Sequence, residues 1–269
     1  MKLTILGTGN ATATKCYNTC FAISDMENKD VFLVDGGGGN GILSILEKES
    51  IPMTSIHHVF VSHGHTDHVL GIIWILRIIA QLMYRGIYEG TLQIYCHKEL
   101  NAMIHTMCEL MLPKKFLNFF DQRILFIEIS DGEESEILGC HVRFMDVISP
   151  KMKQFGFVLC REGKKLAFCG DVPLKESLIP YVQGSDWMLH EAFCLYEERD
   201  IFKPYEKEHS TVKDACELAE KIGIKNLILY HTEDTHIDDR KSLYTKEGKP
   251  FFNGNLYVPD DRDVFEIFS

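Results

Sequence analysis

The 269-residue chain has no CxxC pair among its nine cysteines, no proline-rich linker with only eight prolines, and no long basic run. Nine scattered cysteines are an odd set and do not make a disulfide framework, so reduced thiols and a cytoplasmic location are expected. Cys96, Cys140, Cys160, Cys169 and Cys194 fall in or beside strand-like segments, where a small buried thiol is the expected role. Lys114-Lys115 and Lys164-Lys165 are short basic clusters in a chain of net charge −11. That balance is no footprint for folded RNA or DNA, because phosphate neutralisation supplies most non-specific affinity. A pocket for a single phosphate remains compatible with it. The apolar run Val69–Met83 is interrupted by Arg77. It falls short of the roughly 20 apolar residues that cross a bilayer, so it reads as a buried helix with no membrane partner. The opening MKLTILGTGNATAT reads as a strand and a glycine turn, which is not the pattern of a signal peptide.

What is present is an ordinary globular composition, with 45% hydrophobic and 25% charged residues. Strand-like and helix-like stretches alternate along the whole chain. KLTILG, CFAIS, VFLVD, HHVFVS, TLQIYC, RILFIEI and HVRFMDVI read as strands, and GILSILEKES, Val69–Arg85 and HKELNAMIHTMCELML as helices. After Pro150 the grammar repeats, with a hairpin turning at Glu162-Gly163, strands WMLHEA and NLILYH, and NLYVP and DVFEIF at the end. STVKDACELAEKIG reads as a helix, with Ser210 as N-cap and Gly223 as C-cap. No composition shift divides the halves, so one domain over residues 1–269, built as two sheets with flanking helices, is expected.

The polar residues fall in a pattern. Asp35 ends VFLVD, Asp171 ends LAFCGD, His190 and Glu191 end WMLHE, and His231 ends NLILYH. Ionisable groups at the ends of apolar strands can converge along one edge of a rigid scaffold. The densest group is SHGHTDH, where His63, His65, Asp67 and His68 lie within six residues. Residues two apart in an extended loop point the same way, and imidazole with carboxylate suits zinc, iron or manganese.

SHGHTDH resembles the HxHxDH motif of the metallo-β-lactamase superfamily, and LVDGGG, FCGD, LHEAF, EHSTVKDACELAE and LILYH follow in the superfamily's order. The sequence HEAF, then HST, then a histidine after an apolar strand is most similar to the ribonuclease Z-type phosphodiesterase branch. The resemblance implies an α/β (α+β) fold, the four-layer αββα metallo-β-lactamase sandwich, with up to two metal ions in a cleft at one edge. It implies His63 and His65 on the first ion, Asp67, His68 and His231 on the second, and Asp171 bridging. Two such ions would activate a hydroxide and clamp the phosphoryl oxygens. Asp67 would orient the hydroxide as base, and His209 would act as general acid with Glu191 tuning it. His190 is expected to be packed rather than ligating. Asp35 is expected to orient the histidine loop, since ligating histidines need a carboxylate or carbonyl on the other ring nitrogen.

Two departures qualify the resemblance. The branch places one more first-site histidine in the loop here reading FMDVISPKMKQFGF, and the aligned residue is Ile148, which cannot ligate. Asp146, Ser149 or a water are substitutes, and His141 lies too early. An intact second site and a weaker first site are therefore expected. Between Gly156 and Asp171 there is room only for a tight hairpin, so the long tRNA-clamping arm of ribonuclease Z is missing. With the acidic charge this argues against tRNA, and arm-less relatives act on small phosphodiesters or cyclic phosphates. The expectation is a zinc-, manganese- or iron-dependent hydrolase of a small or single-stranded phosphodiester. The alternatives are a degenerate metal-binding protein with little catalysis, or a lactone or thioester hydrolase. The resemblance also suggests a homodimer.

Overall fold

In the computed structural model, which describes residues 1–27 and 29–268, two seven-stranded sheets lie between helices. The first sheet uses β1 (Lys2–Gly7), β2 (Cys20–Ser24), β3 (Val31–Val34), β4 (Ile56–Phe60), β5 (Leu92–Cys96) and β6 (Ile124–Glu128). The second uses β7 (Glu134–Ile137), β8 (Cys140–Asp146), β9 (Phe155–Arg161), β10 (Lys164–Phe168), β11 (Trp187–Glu191), β12 (Asn226–Tyr230) and β13 (Asn255–Tyr257). The last strand, β14 (Val264–Glu266), returns to the first sheet beside β1, giving the orders β14-β1-β2-β3-β4-β5-β6 and β13-β12-β11-β10-β9-β8-β7. Both sheets are mixed: β3 through β6 and β10 through β13 run parallel, and the remaining pairs are antiparallel.

The strand VFLV shows how the layers form. All four residues are buried, and their side chains alternate between faces. Val31 and Leu33 pack toward α1 (Gly41–Lys48), α2 (Thr66–Tyr84) and α3 (Lys98–Met111). Phe32 and Val34 face the other sheet, and Phe60 beside them interlocks with its Phe144, Phe157 and Phe168. On β11, Leu189 joins that central core while Met188 packs outward with Ala215 and Ala219 of the helix Val212–Lys221. Three apolar layers between four structural layers make the αββα sandwich. Each fully buried Leu, Ile or Phe contributes roughly 1.5–3 kcal/mol.

Several boundaries differ from the sequence reading. The helix Val212–Lys221 is capped by Thr211, whose hydroxyl and Asp214 form a reciprocal capping box. Ser210, expected as N-cap, instead donates its amide to Glu191 Oε1 at 2.5 Å and its hydroxyl to the Glu191 carbonyl. Gly223, at φ +71, stands one residue beyond the C-cap Ile222. The helix expected from Val69 begins at Thr66, three residues earlier, because Asp67 is stabilising near a helix N-terminus. At 19 residues it is the one helix among the described residues long and apolar enough to cross a membrane, yet 61% of that window is buried inside the protein. The charged edge strand ESEI (β7) and the helix Arg240–Gly248 carry too little apolar periodicity to be read from sequence.

The strand ends carry the polar residues as expected. β3 delivers Asp35, β4 leads into Ser62 and His63, β10 into Asp171, β11 ends at Glu191, and β12 delivers His231.

Candidate active site

The backbone after β3 and β12 is bent to present side chains. Asp35 has φ +58 and His231 φ +56, a left-handed conformation that costs a non-glycine residue about 1–3 kcal/mol. The glycines after Asp35 allow its loop to press on the start of α2. Gly36 donates to the His68 carbonyl and Gly71 to the Gly37 carbonyl, both at 2.9 Å, and a Cβ on Gly71 would stand 1.8 Å from the Gly36 oxygen.

Asp35 is buried and organises the histidine loop as expected. It accepts the Ser62 amide at 2.8 Å and hydroxyl at 2.7 Å, and its Oδ2 meets His68 Nδ1 at 2.8 Å. The Ser62 oxygen in turn lies 3.0 Å from His63 Nδ1. One carboxylate therefore holds His68 directly and His63 through a hydroxyl, aiming each Nε2 at the cleft.

The Nε2 atoms converge there. Asp171 Oδ2 lies 3.4 Å from His63 Nε2, 3.5 Å from His68 Nε2 and 3.5 Å from His231 Nε2. Asp67 Oδ2 lies 3.3 Å from His68 Nε2 and 3.5 Å from His231 Nε2. His65 Nδ1 stands 2.8 Å from His63 Nε2. The six residues named from the motifs as ligands thus meet in one place, and all but His68 line a cavity of about 360 Å³ together with Ser149, Lys151, Lys207 and His209.

Buried groups of this kind normally hydrogen-bond. Here Asp67 Oδ2, His68 Nε2 and both nitrogens of His231 are buried without a hydrogen-bond partner. Burial pushes the His63 imidazole down to about 3, leaving it neutral, the form that ligates. Burial would also lower His68, but Asp35, Asp171 and Asp67 outweigh it and raise it well above the ordinary value. Burial would raise the carboxyls of Asp67 and Asp171, but the surrounding histidines hold both below the ordinary range. Ionised carboxylates facing imidazole nitrogens with spare lone pairs fit a divalent cation, which would replace the proton on His68.

Ile148 does not point into this cluster. It is 53% exposed at φ +57, with its amide bonded to Asp146 Oδ1 at 2.8 Å. Six residues on, Gln154 is 1% exposed and packs behind the cluster. Its Nε2 lies 2.9 Å from His63 Nδ1 and donates to Asp171 Oδ1, which leaves Asp171 Oδ2 toward the histidines. The sequence reading missed Gln154; a lone amide beside the apolar FGF was the available signal. His141 pairs with Glu134 at 3.1 Å and is half exposed, away from the cluster.

His209 stacks on Phe193 with centroids 5.0 Å apart and lies 5.1 Å from the His231 ring. Its Nδ1 is 3.6 Å from Glu191 Oε2, an ion-pair distance beyond a formed hydrogen bond. Burial lowers His209, but fully buried Glu191 outweighs it, so the ring is raised above its ordinary value. His190 is packed and satisfied, with Nδ1 2.7 Å from the Glu191 carbonyl and Nε2 accepting the Leu174 amide.

A buried cluster of histidines and aspartates on the aligned edges of an αββα sandwich defines a ribonuclease Z-like metallohydrolase of the metallo-β-lactamase fold, a metal-dependent enzyme of phosphodiesterase type. The family model described as anti-Pycsar protein Apyc1 matches residues 1–251, and the chain belongs to that family. Ribonuclease Z of Parabacteroides distasonis is 24% identical over 94% of this chain and 95% of its own. The metallo-β-lactamase fold protein YhfI from Bacillus subtilis superposes with a TM-score of 0.77 at 20% identity, covering 98% of this chain and 99% of its own. The short form of human tRNase Z reaches 0.76 at 19% identity over 100% of both chains. A diphosphatase of the PhnP family reaches 0.74 at 16%, covering 98% and 97%.

Proposed function

We propose that the enzyme hydrolyses a small phosphodiester, linear or cyclic, with His209 as the proton donor to the leaving oxygen. The observation that carries this reading is the His209–Glu191 pair standing beside the ligand cluster. A thioester hydrolase has less need of such an acid, because a thiolate leaves far more readily than an alkoxide.

His63 and His65 with Asp171 would hold one ion, and Asp67, His68 and His231 with Asp171 another, zinc, manganese or iron by donor type. When bound, the metal supplies Lewis-acid polarisation of the phosphoryl group and a nucleophile from water at neutral pH. Asp67, kept ionised by His231 and His68, orients the attacking water and accepts its proton. Asp171 stays ionised, with Gln154 on its other oxygen fixing its plane. His209, whose proton Glu191 retains to higher pH, would face the leaving oxygen. Lys151, whose Nζ donates to the Lys207 carbonyl at 2.7 Å, and Lys207 bring positive charge to the cavity of an otherwise acidic protein. Against tRNA stands the two-residue turn Glu162-Gly163 joining β9 to β10, where an arm would need to emerge.

The test is turnover of bis-p-nitrophenyl phosphate, cyclic nucleotides, a tRNA precursor and a lactone with added Mn²⁺ or Zn²⁺. Cleavage of the first two classes is expected, and a preference for the tRNA precursor or the lactone refutes the reading. A second reading, a metal-binding protein with little catalysis, is favoured by exposed Ile148 standing where a further ligand is expected; metal retention without turnover of any substrate would establish it. We further propose a homodimer seated on the face of exposed Trp74 and Met111, which border a cavity of about 400 Å³. A monomeric mass in solution would remove that proposal.

A further inference from the structure

We propose that Glu198, Glu233 and His236 form a third cation site, with ligands distinct from the catalytic cluster, for a zinc or manganese ion. One ligand atom from each residue lies within 4.8 Å of the others. Glu198 closes the short turn Tyr196–Glu198 that follows β11, and Glu233 and His236 lie in the turn after His231.

The carboxylates are poorly satisfied as they stand. Glu233 is only 4% exposed and its Oε1 is buried with no hydrogen-bond partner, while its Oε2 accepts the Thr235 amide at 2.5 Å. Glu198 Oε2 is likewise buried without a partner. Among the described residues Glu233 has no ion-pair partner, and Glu198 pairs only with His236, Nε2 to Oε1 at 2.7 Å. Two carboxylates brought this close without a lysine or arginine carry an uncompensated desolvation cost. A divalent ion in place of the proton shared by His236 and Glu198 would neutralise both and use the orphaned oxygens. One imidazole and two carboxylates form a three-ligand set that leaves a position for water, and Glu198 and His236, 22% and 33% exposed, face solvent.

The site is also held in place. The Glu233 amide donates to the Phe193 carbonyl at 2.8 Å, and Asp234 Oδ2 accepts the Thr14 and Lys15 amides at 2.6 and 2.8 Å. The turn carrying Glu233 and His236 therefore ties β11, β12 and the N-terminal loop together just beyond His231. An ion there would clamp that turn.

The experiment is metal analysis of full-length protein dialysed against Zn²⁺ or Mn²⁺ alone. Wild type is compared with His236→Ala and Glu198→Gln, all checked for native circular dichroism. Loss of one metal equivalent per chain is expected in each variant, with hydrolysis of bis-p-nitrophenyl phosphate retained. Wild-type metal content in both variants, with either ion, overturns the proposal. His68→Ala in parallel reads the catalytic cluster separately: it should lose metal while retaining the equivalent that His236→Ala loses.

Discussion

The cluster has two halves, and they are held differently. Around Asp67, His68 and His231 the would-be ligand atoms are buried and partnerless, with His68 gripped by Asp35 and His231 fixed by a strained backbone. Around His63 and His65 the nitrogens satisfy each other at 2.8 Å, His65 is only half buried, and the Gln154 amide braces His63 Nδ1 and Asp171 Oδ1 from behind. Preorganisation for metal is thus complete in one half and partial in the other, although both rest on the same bridging Asp171.

The sharpest way to break this contrast is to remove the better half. His68→Ala should lower kcat on bis-p-nitrophenyl phosphate by about 10³-fold or more, since a catalytic metal is worth several kcal/mol in the transition state. Retained turnover would show that the first half suffices. His209→Ala should cost about 10²- to 10⁴-fold on a phosphodiester with a poor leaving group, and less on a p-nitrophenyl ester that leaves without a proton. Equal losses on both would remove its role as acid. Gln154→His should equalise the halves, with metal content rising toward two catalytic equivalents; two tightly held equivalents in His236→Ala, which lacks the third site, would end the asymmetry.

A smaller effect concerns pH. His209 is raised above its ordinary value of about 6.5 by Glu191, so its protonated form persists to higher pH than a free imidazole. Its contribution to stability is complete below the ordinary value and disappears as pH rises through the raised one. Activity should fall over the same alkaline range. In Glu191→Gln burial is left to dominate, and that limb should move to lower pH; an unmoved limb would detach Glu191 from His209. The smallest change is Ile148→Ala, expected within about 0.5 kcal/mol of wild-type stability and without effect on metal content, because that side chain is exposed.

Much of this was legible in the linear order. Apolar strands and their polar ends follow from the period of two, and the motif residues His63, His65, Asp67, His68, Asp171 and His231 all meet in the structure. Asp35 was legible for a similar reason, because a carboxylate at a strand end beside a histidine strand has few other uses. What failed was the loop between β8 and β9. Ile148 was placed there by alignment, but a left-handed backbone turns it outward, and no periodicity governs a loop.

The sequence by itself determined the layered fold and the chemistry of the cluster, since hydrophobic alternation and ligand type are local properties of residues. Only the tertiary structure decided that Gln154 stands against His63 and Asp171. It alone placed Glu198 beside Glu233 and His236, because side chains 35 or more positions apart meet only when the sheets close.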